Sequence, residues 1–189
     1  PRLWWGWALV GIGAASGVLG VLFALAQHDL KRLLAYHSVE NIGIITLGLG
    51  LGVTGAAAGL PVVSFAGFAG ALFHVLNHAL FKGLLFLGAG AVAHATGSRD
   101  LDRQGGLLRR MPWTGGTFLV GAAAISGLPP LNGFASEFLV YFGAFSAAVA
   151  PRGAVVVALV VIAALALIGG LAVACFAKAF GVVFLGEPR

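Results

Sequence analysis

The sequence predicts an all-α polytopic membrane protein with about five transmembrane segments, one of them a discontinuous helix broken at Pro129-Pro130. Three observations lead there. Hydrophobic residues make up 60% of the 189, charged residues only 9%, and mean hydropathy is +1.02, a balance foreign to soluble domains. The apolar residues fall in runs close to the length that crosses a bilayer. A tandem proline then interrupts one of those runs, and no continuous helix passes through it. The sequence pI of 10.2 raises the question of nucleic acid. The basic residues, however, lie in short segments between apolar runs and not in an aromatic-interleaved patch. That distribution is a topology signal, so the expected partner is the lipid bilayer and not nucleic acid.

The first span is expected near residues 4 to 26, with Trp4, Trp5 and Trp7 suited to the aromatic belt of a membrane interface. A polar turn, Gln27-His28-Asp29-Leu30-Lys31-Arg32, ends it. The second span runs from about 33 to 52 and is followed by a Gly/Ala-rich linker closed by Pro61. The third, from about 64 to 93, is long enough to tilt or protrude. Residues 94 to 112 are the sustained polar segment, with Arg99, Asp100, Asp102, Arg103, Arg109 and Arg110 around Gly105-Gly106, and read as an extramembrane loop. Two apolar pieces follow, about 113 to 127 and 133 to 149, each short for a full crossing. Between them stands Gly127-Leu128-Pro129-Pro130-Leu131-Asn132-Gly133, so the pair is expected to form one broken crossing, non-helical over 128–133. The last span is expected from about 152 to 185.

This count gathers Lys31, Arg32, Arg99, Arg103, Arg109, Arg110 and Arg189 on one side and leaves Arg2 and Arg152 on the other. The positive-inside rule then places the 27 to 32 turn and the 94 to 112 loop in the cytoplasm. The chain opens on Pro1-Arg2-Leu3-Trp4-Trp5 without an initiator methionine, and its first apolar run exceeds a signal-peptide core. A fragment of a longer protein is the expectation. The single cysteine, Cys175, lies in an apolar run and forms no disulfide within the chain.

Titratable side chains inside membrane spans are costly, and they usually face a polar interior and carry ions or protons. His74, His78 and Lys82 recur every four residues, which stacks them on one helix face over about 12 Å. Lys82 has apolar residues on both sides and is far from either surface. On the second span His37, Glu40 and Asn41 share a face, expected to turn inward toward the third span. Glu137 follows the proline break, where the positive end of the second half-helix favours a carboxylate. His28 and His94 stand at span ends and read as interfacial, and Lys178 is placed to snorkel to the surface.

Other chemistries compete for the same residues. Two histidines at i and i+4 suit zinc on a helix, but Val75, Leu76 and Asn77 between them supply no glutamate base and no cysteine cluster is near. Bis-histidine haem ligation by His37 and His74 stays open. No phosphate-binding glycine loop or nucleophile triad has an adequate match; Gly11-Ile12-Gly13 lies inside an apolar span.

The segment Asp29-Leu30-Lys31-Arg32-Leu33-Leu34-Ala35-Tyr36, continued by His37-Ser38-Val39-Glu40-Asn41-Ile42-Gly43, resembles the signature helix of the antiporter-like membrane subunits of complex I and membrane-bound hydrogenases. The run from His74 through His78 and Lys82 to Phe86-Leu87-Gly88-Ala89-Gly90 resembles the same family, as does Ser126-Gly127-Leu128-Pro129-Pro130-Leu131-Asn132-Gly133-Phe134 with Glu137. The three motifs stand in the family's order over about residues 27 to 145. Their wording looks most like the hydrogenase-4 and formate hydrogenlyase branch; complex I members more often carry serine where His37 stands and lack a glutamate at Glu40.

The resemblance implies an antiporter-like fold with residues 1–189 as one partial proton-conducting transmembrane domain, the carboxy-terminal half of the whole. It implies that Lys82 is the lysine of the family's central polar axis, with His74 and His78 as its relay histidines. Glu137 matches the lysine or glutamate after the late helix break. His37 and Glu40 join these as proton-relay candidates. The family's other glutamate and lysine, on earlier helices, have no counterpart in this sequence. The expected function is proton translocation by a membrane subunit of an oxidoreductase complex in the bacterial cytoplasmic membrane. No redox active site, cofactor or metal is expected in this chain; nickel-iron and iron-sulfur centres would belong to partner subunits, membrane and peripheral, of a hydrogenase or complex I-like assembly. The alternatives are a sodium/proton antiporter subunit, a complex I (NADH-quinone oxidoreductase) subunit, or a non-conducting membrane scaffold whose working surface is the 94 to 112 loop.

Overall fold

A computed structural model describes residues 2–150 and 154–187. Among them helices account for nearly everything outside short turns, and the one bridge between extended segments pairs Asp29 with Asp100. Helix α1 (Leu3–Leu25) is followed by α2 (Leu30–Ala58) and α3 (Pro61–Thr96). The α2 start lies inside the expected polar turn because Asp29 caps it, its Oδ1 accepting the Arg32 amide at 3.0 Å. At the other end Gly59, φ 69°, takes the left-handed conformation that closes a helix. Pro61 then opens α3 at its first position, where a missing amide costs nothing. The expected linker is thus only a tight turn between two long helices.

The 94 to 112 segment contains two single 3-10 turns, Leu101–Arg103 and Leu107–Arg109, that bury Leu101 and Leu107 under the bundle. It is stitched to the α1–α2 turn: the Leu30 amide donates to the Arg99 carbonyl at 2.9 Å and the Leu101 amide to the His28 carbonyl at 2.7 Å. Helices α4 (Pro112–Ile125), α5 (Asn132–Ala148) and α6 (Val155–Phe180) complete the chain, α6 running into a wider π-helical turn at Gly181–Leu185. Of the expected positions, Arg152 and Arg189 lie outside the described residues.

Four helical stretches are long and apolar enough to cross a membrane: Leu3–Leu25, Leu30–Ala58, Pro61–Thr96 and Val155–Leu185. The fifth crossing is composite. Gly121 on α4 packs on Leu85, and Gly88 on α3 packs on Phe118, so α4 descends along the second half of α3. Helix α5 continues the same way, Asn132 bonding Asn77 and Gly70 packing on Val140. Two helices of 14 and 17 residues thus share one passage, broken at the level of Asn77 near the middle of α3. The break has the expected length but lies two residues earlier than expected. Residues 126–131 are non-helical, and α5 resumes at Asn132, one residue before Gly133, because Asn77 holds the Asn132 side chain and carbonyl. Pro129-Pro130 is a cis peptide bond. Gly133 is required by close approach: a Cβ there would stand 1.9 Å from the Ala124 carbonyl oxygen, so only glycine lets the half-helices meet.

Helices α1 and α2 approach through glycines, as expected where packing and not hydrophobicity joins membrane helices. A Cβ on Gly43 would lie 2.4 Å from the Gly17 amide nitrogen, and one on Gly20 would lie 2.6 Å from the Glu40 nitrogen. The apolar core is split in two. One cluster, with Leu30, Leu33, Phe81, Leu85, Phe118 and Phe176, lies toward the basic end. The other, with Val10, Leu47, Leu51, Val63, Val140 and Val161, lies toward the opposite end. On α2 the buried polar side chains between the two clusters are His37, Glu40 and Asn41.

Candidate functional site

That gap is a polar layer, and α2, α3 and α5 each contribute to it. The α2 side chains His37, Glu40 and Asn41 are all buried, as are His74, Asn77 and Lys82 on α3 and Ser136 and Glu137 on α5. Their spacings follow from helix geometry, which returns each helix to the same neighbour every three or four residues.

The connections run in one direction. Within α2 the His37 Nδ1 bonds the Glu40 carboxylate, and the Asn41 amide nitrogen donates to the His37 carbonyl at 2.7 Å and lies 3.5 Å from Glu40 Oε2. Asn41 Oδ1 then meets His74 Nε2 at 2.9 Å, which crosses from α2 to α3. His74 Nδ1 meets Ser136 Oγ at 2.9 Å, which crosses to α5. Ser136 Oγ accepts from Asn77 Nδ2 at 3.0 Å, and the same nitrogen donates to the Asn132 carbonyl at 2.7 Å. An unbroken set of hydrogen bonds therefore joins Glu40 to the helix break. Membrane cores supply no water to unpaired groups, so non-helical backbone at this depth depends on such shielding.

The other candidates sit around this set. Lys82 donates from Nζ to the Leu34 carbonyl on α2, one turn before His37, and its ammonium lies 5.8 Å from the centre of the Phe86 ring. His78 is half-buried, its ring edge-on to Phe81, and its Nε2 takes no hydrogen bond from the described residues. His37 Nε2 and Glu40 Oε1 are likewise buried with no partner among those residues, so each keeps capacity for one more bond. Glu137 occupies the flank of α5 away from His74. Its carboxylate packs on the Gly127 turn, where a Cβ would lie 2.7 Å from Oε2 and where φ is 64°, and it borders a groove of about 520 Å³ between α5 and α6 lined by Phe138, Tyr141 and Gly169.

Two expectations are refined by this geometry. His37 and Glu40 do turn inward, but the His37 ring lies against Phe176 of α6, ring centres 4.5 Å apart, and the residue that reaches the third span is Asn41. The His74, His78 and Lys82 row shares one helix but divides its contacts: His74 binds Asn41 and Ser136, Lys82 binds α2 nearer the basic end, and Glu137 bonds none of the three among the described residues. Sequence reasoning passed over Asn77, Asn132 and Ser136. Small polar residues beside a proline break were the available signal, since a freed backbone needs partners. Of the peripheral expectations, His28 and His94 are exposed, and Lys178 is exposed with Nζ donating to the Leu25 carbonyl at 3.1 Å, the last of α1. Among the described residues no group of three or more His, Cys, Asp or Glu is placed to hold a metal ion.

Five crossings, one of them broken at mid-depth beside a buried polar layer, define a polytopic helical membrane protein of the discontinuous-helix class. Residues 2–166 match the family described as NADH:quinone oxidoreductase/Mrp antiporter, TM, and the chain belongs to that family. It is 51% identical to hydrogenase-4 component B of Escherichia coli (strain K12) over 191 aligned residues, covering 99% of this chain and 28% of that protein. It is 50% identical to formate hydrogenlyase subunit 3 of the same organism, covering 99% of this chain and 31% of that protein. Its fold matches a chain of the Mrp complex from Dietzia sp. DQ12-45-1b with a TM-score of 0.80 at 28% identity, covering 98% of this chain and 31% of that one. The chain thus spans less than a third of the length of these relatives.

Proposed function

We propose that this chain is part of a proton-translocating membrane subunit of an oxidoreductase complex of the hydrogenase-4 or formate hydrogenlyase type. Its setting is the bacterial cytoplasmic membrane, with the end carrying Lys31, Arg32, Arg99, Arg103, Arg109 and Arg110 facing the cytoplasm. The observation that carries the reading is the buried bond set from Glu40 through Asn41, His74 and Ser136 to the helix break. Groups that bind and release protons stand beside it at membrane depth: His37, Glu40, His74, His78, Lys82 and Glu137. Each titratable group lowers the cost of charge on its neighbour when it changes its own, so a proton moves along the layer without a bare charge standing in lipid. Redox chemistry belongs to partner subunits with nickel-iron and iron-sulfur centres, and this chain supplies protein side chains only.

The likeness to the Mrp complex favours a second reading, a subunit of a sodium/proton antiporter on the same scaffold. Both readings give Lys82 the same role. In the complete protein with its partners in proteoliposomes, Lys82→Met is expected to reduce coupled proton movement about tenfold or more with assembly intact. Lys82→Arg should impair it too, because guanidinium scarcely releases its proton. Glu137→Gln should act similarly. Proton movement tied to redox turnover supports the first reading, and movement tied to a sodium gradient supports the second. Wild-type movement in assembled Lys82→Met would leave a non-conducting scaffold.

A further inference from the structure

We infer that Ser136 is a positioning residue that reports the charge of His74 to the first turn of α5. Its hydroxyl donates to Nδ1 of the neutral ring and turns to the Gly133 carbonyl when the ring carries a second proton. The inference rests on the proposed proton path for its use, but its hydrogen-bond logic stands on donors and acceptors alone. The Asn41 amide nitrogen is held by two acceptors, the His37 carbonyl and the Glu40 carboxylate, so the Asn41 oxygen is the atom facing His74 Nε2. A carbonyl oxygen only accepts, and the proton of the neutral ring is therefore on Nε2. Nδ1 is then bare, and its neighbour at 2.9 Å, Ser136 Oγ, must be the donor. The Asn77 side chain is fixed in the same way: its nitrogen donates to the Asn132 carbonyl and to Ser136 Oγ, and its oxygen accepts from Asn132 Nδ2 at 3.3 Å.

The second arrangement follows from one added proton. A hydronium of the conducting path gives its proton to Nδ1: one O–H bond breaks, one N–H bond forms, the positive charge passes to the ring, and a neutral water remains. Both ring nitrogens now donate. Ser136 Oγ accepts from Nδ1 and from Asn77, which fills its two lone pairs, and of the two carbonyls within reach of its own hydrogen the Gly133 oxygen at 3.0 Å is nearer than the Asn132 oxygen at 3.4 Å, which already takes the Asn77 amide at 2.7 Å. In an α-helix the Gly133 carbonyl also takes the amide of Glu137, so the turn of one hydroxyl alters the peptide group beside the second-half carboxylate. The titratable groups around His74 are His78 and Lys82 on α3, His37 and Glu40 on α2 behind Asn41, and Glu137 on α5 beside Ser136.

Solid-state NMR on the full-length subunit, within its complex in lipid, tests this without turnover. Ring-15N histidine reports His74, identified by its loss in His74→Gln. Carbonyl-13C glycine with 15N-phenylalanine selects Gly-Phe pairs, here Gly67-Phe68 and Gly133-Phe134, the latter identified by its loss in Phe134→Leu. The expected result is a neutral ring protonated on Nε2, and a Gly133 carbonyl signal that shifts in step with the second protonation of His74 while Gly67 stays fixed. In Ser136→Ala the His74 signal still titrates and the Gly133 shift is lost; in Ser136→Cys, a weaker donor of similar size, it is reduced. A neutral ring protonated on Nδ1, a ring that never gains its second proton, or a Gly133 signal that is stationary in the wild type or still moves in Ser136→Ala, overturns the inference.

Discussion

The described residues include two histidine–carboxylate pairs in opposite media. His28 bonds Asp102 at 2.8 Å on the basic end, with side chains 66% and 65% exposed. His37 bonds Glu40 inside the bundle, with side chains 0% and 1% exposed. Chemistry is the same; surroundings are not. Water solvates the first pair whether or not it forms, so its worth is at most about 1 kcal/mol, and its place is to help hold the 94 to 112 loop against the α1–α2 turn. The second pair gives up that solvation, and burying charge is rarely a gain in stability. What surrounds it instead is Asn41, then His74, Ser136 and Asn77, each bonded to the next. A polar group kept at that cost, between two apolar clusters, is what the proposed proton path requires.

Removing a partner from the buried pair is expected to have the largest effect. Glu40→Leu leaves the buried His37 Nδ1 without its carboxylate partner, and is expected to cost about 3 kcal/mol, read as lowered thermal stability of the complex in detergent. Gly133→Ala places a methyl against the Ala124 carbonyl and forces the half-helices apart, for about 1–3 kcal/mol by the same measurement; crosslinking between cysteines placed at positions 77 and 132 should fall with it. The exposed pair answers least. His28→Gln should change stability by no more than about 1 kcal/mol, and that change should shrink as salt is raised.

Much of this was legible in the sequence, and the reason differs by region. Hydropathy located the spans because a bilayer imposes a length, and the prolines located the break because they lack amide donors. Helix ends were less visible. Asp29 looked like part of a polar turn, yet as a cap it starts α2, and residues 53 to 60 looked like linker because Gly and Ala carry weak signals in either state. In the site, periodicity found that His37, Glu40 and Asn41 share a face, and His74, His78 and Lys82 another. It did not say which neighbour each face meets. That His37 lies on Phe176, and that Asn41 bridges to His74, depends on the rotation of α2 against α3 and α6, which single-helix spacing does not contain. Ser136 and Asn77 were hidden for a related reason: neither is titratable, and their importance comes only from the partners that tertiary packing brings.

Under the proposed function, depth, and not residue type, makes one histidine–carboxylate pair part of a proton path. The direct test compares Glu40→Gln with Asp102→Asn in the complete protein, assembled with its partners in proteoliposomes, by proton movement during turnover. Both substitutions keep shape and remove a titratable carboxylate. Glu40→Gln is expected to lower coupled proton movement about tenfold or more, and Asp102→Asn to leave it within about twofold of the wild type. Equal effects of the two, or wild-type proton movement in an assembled Glu40→Gln complex, would contradict the claim.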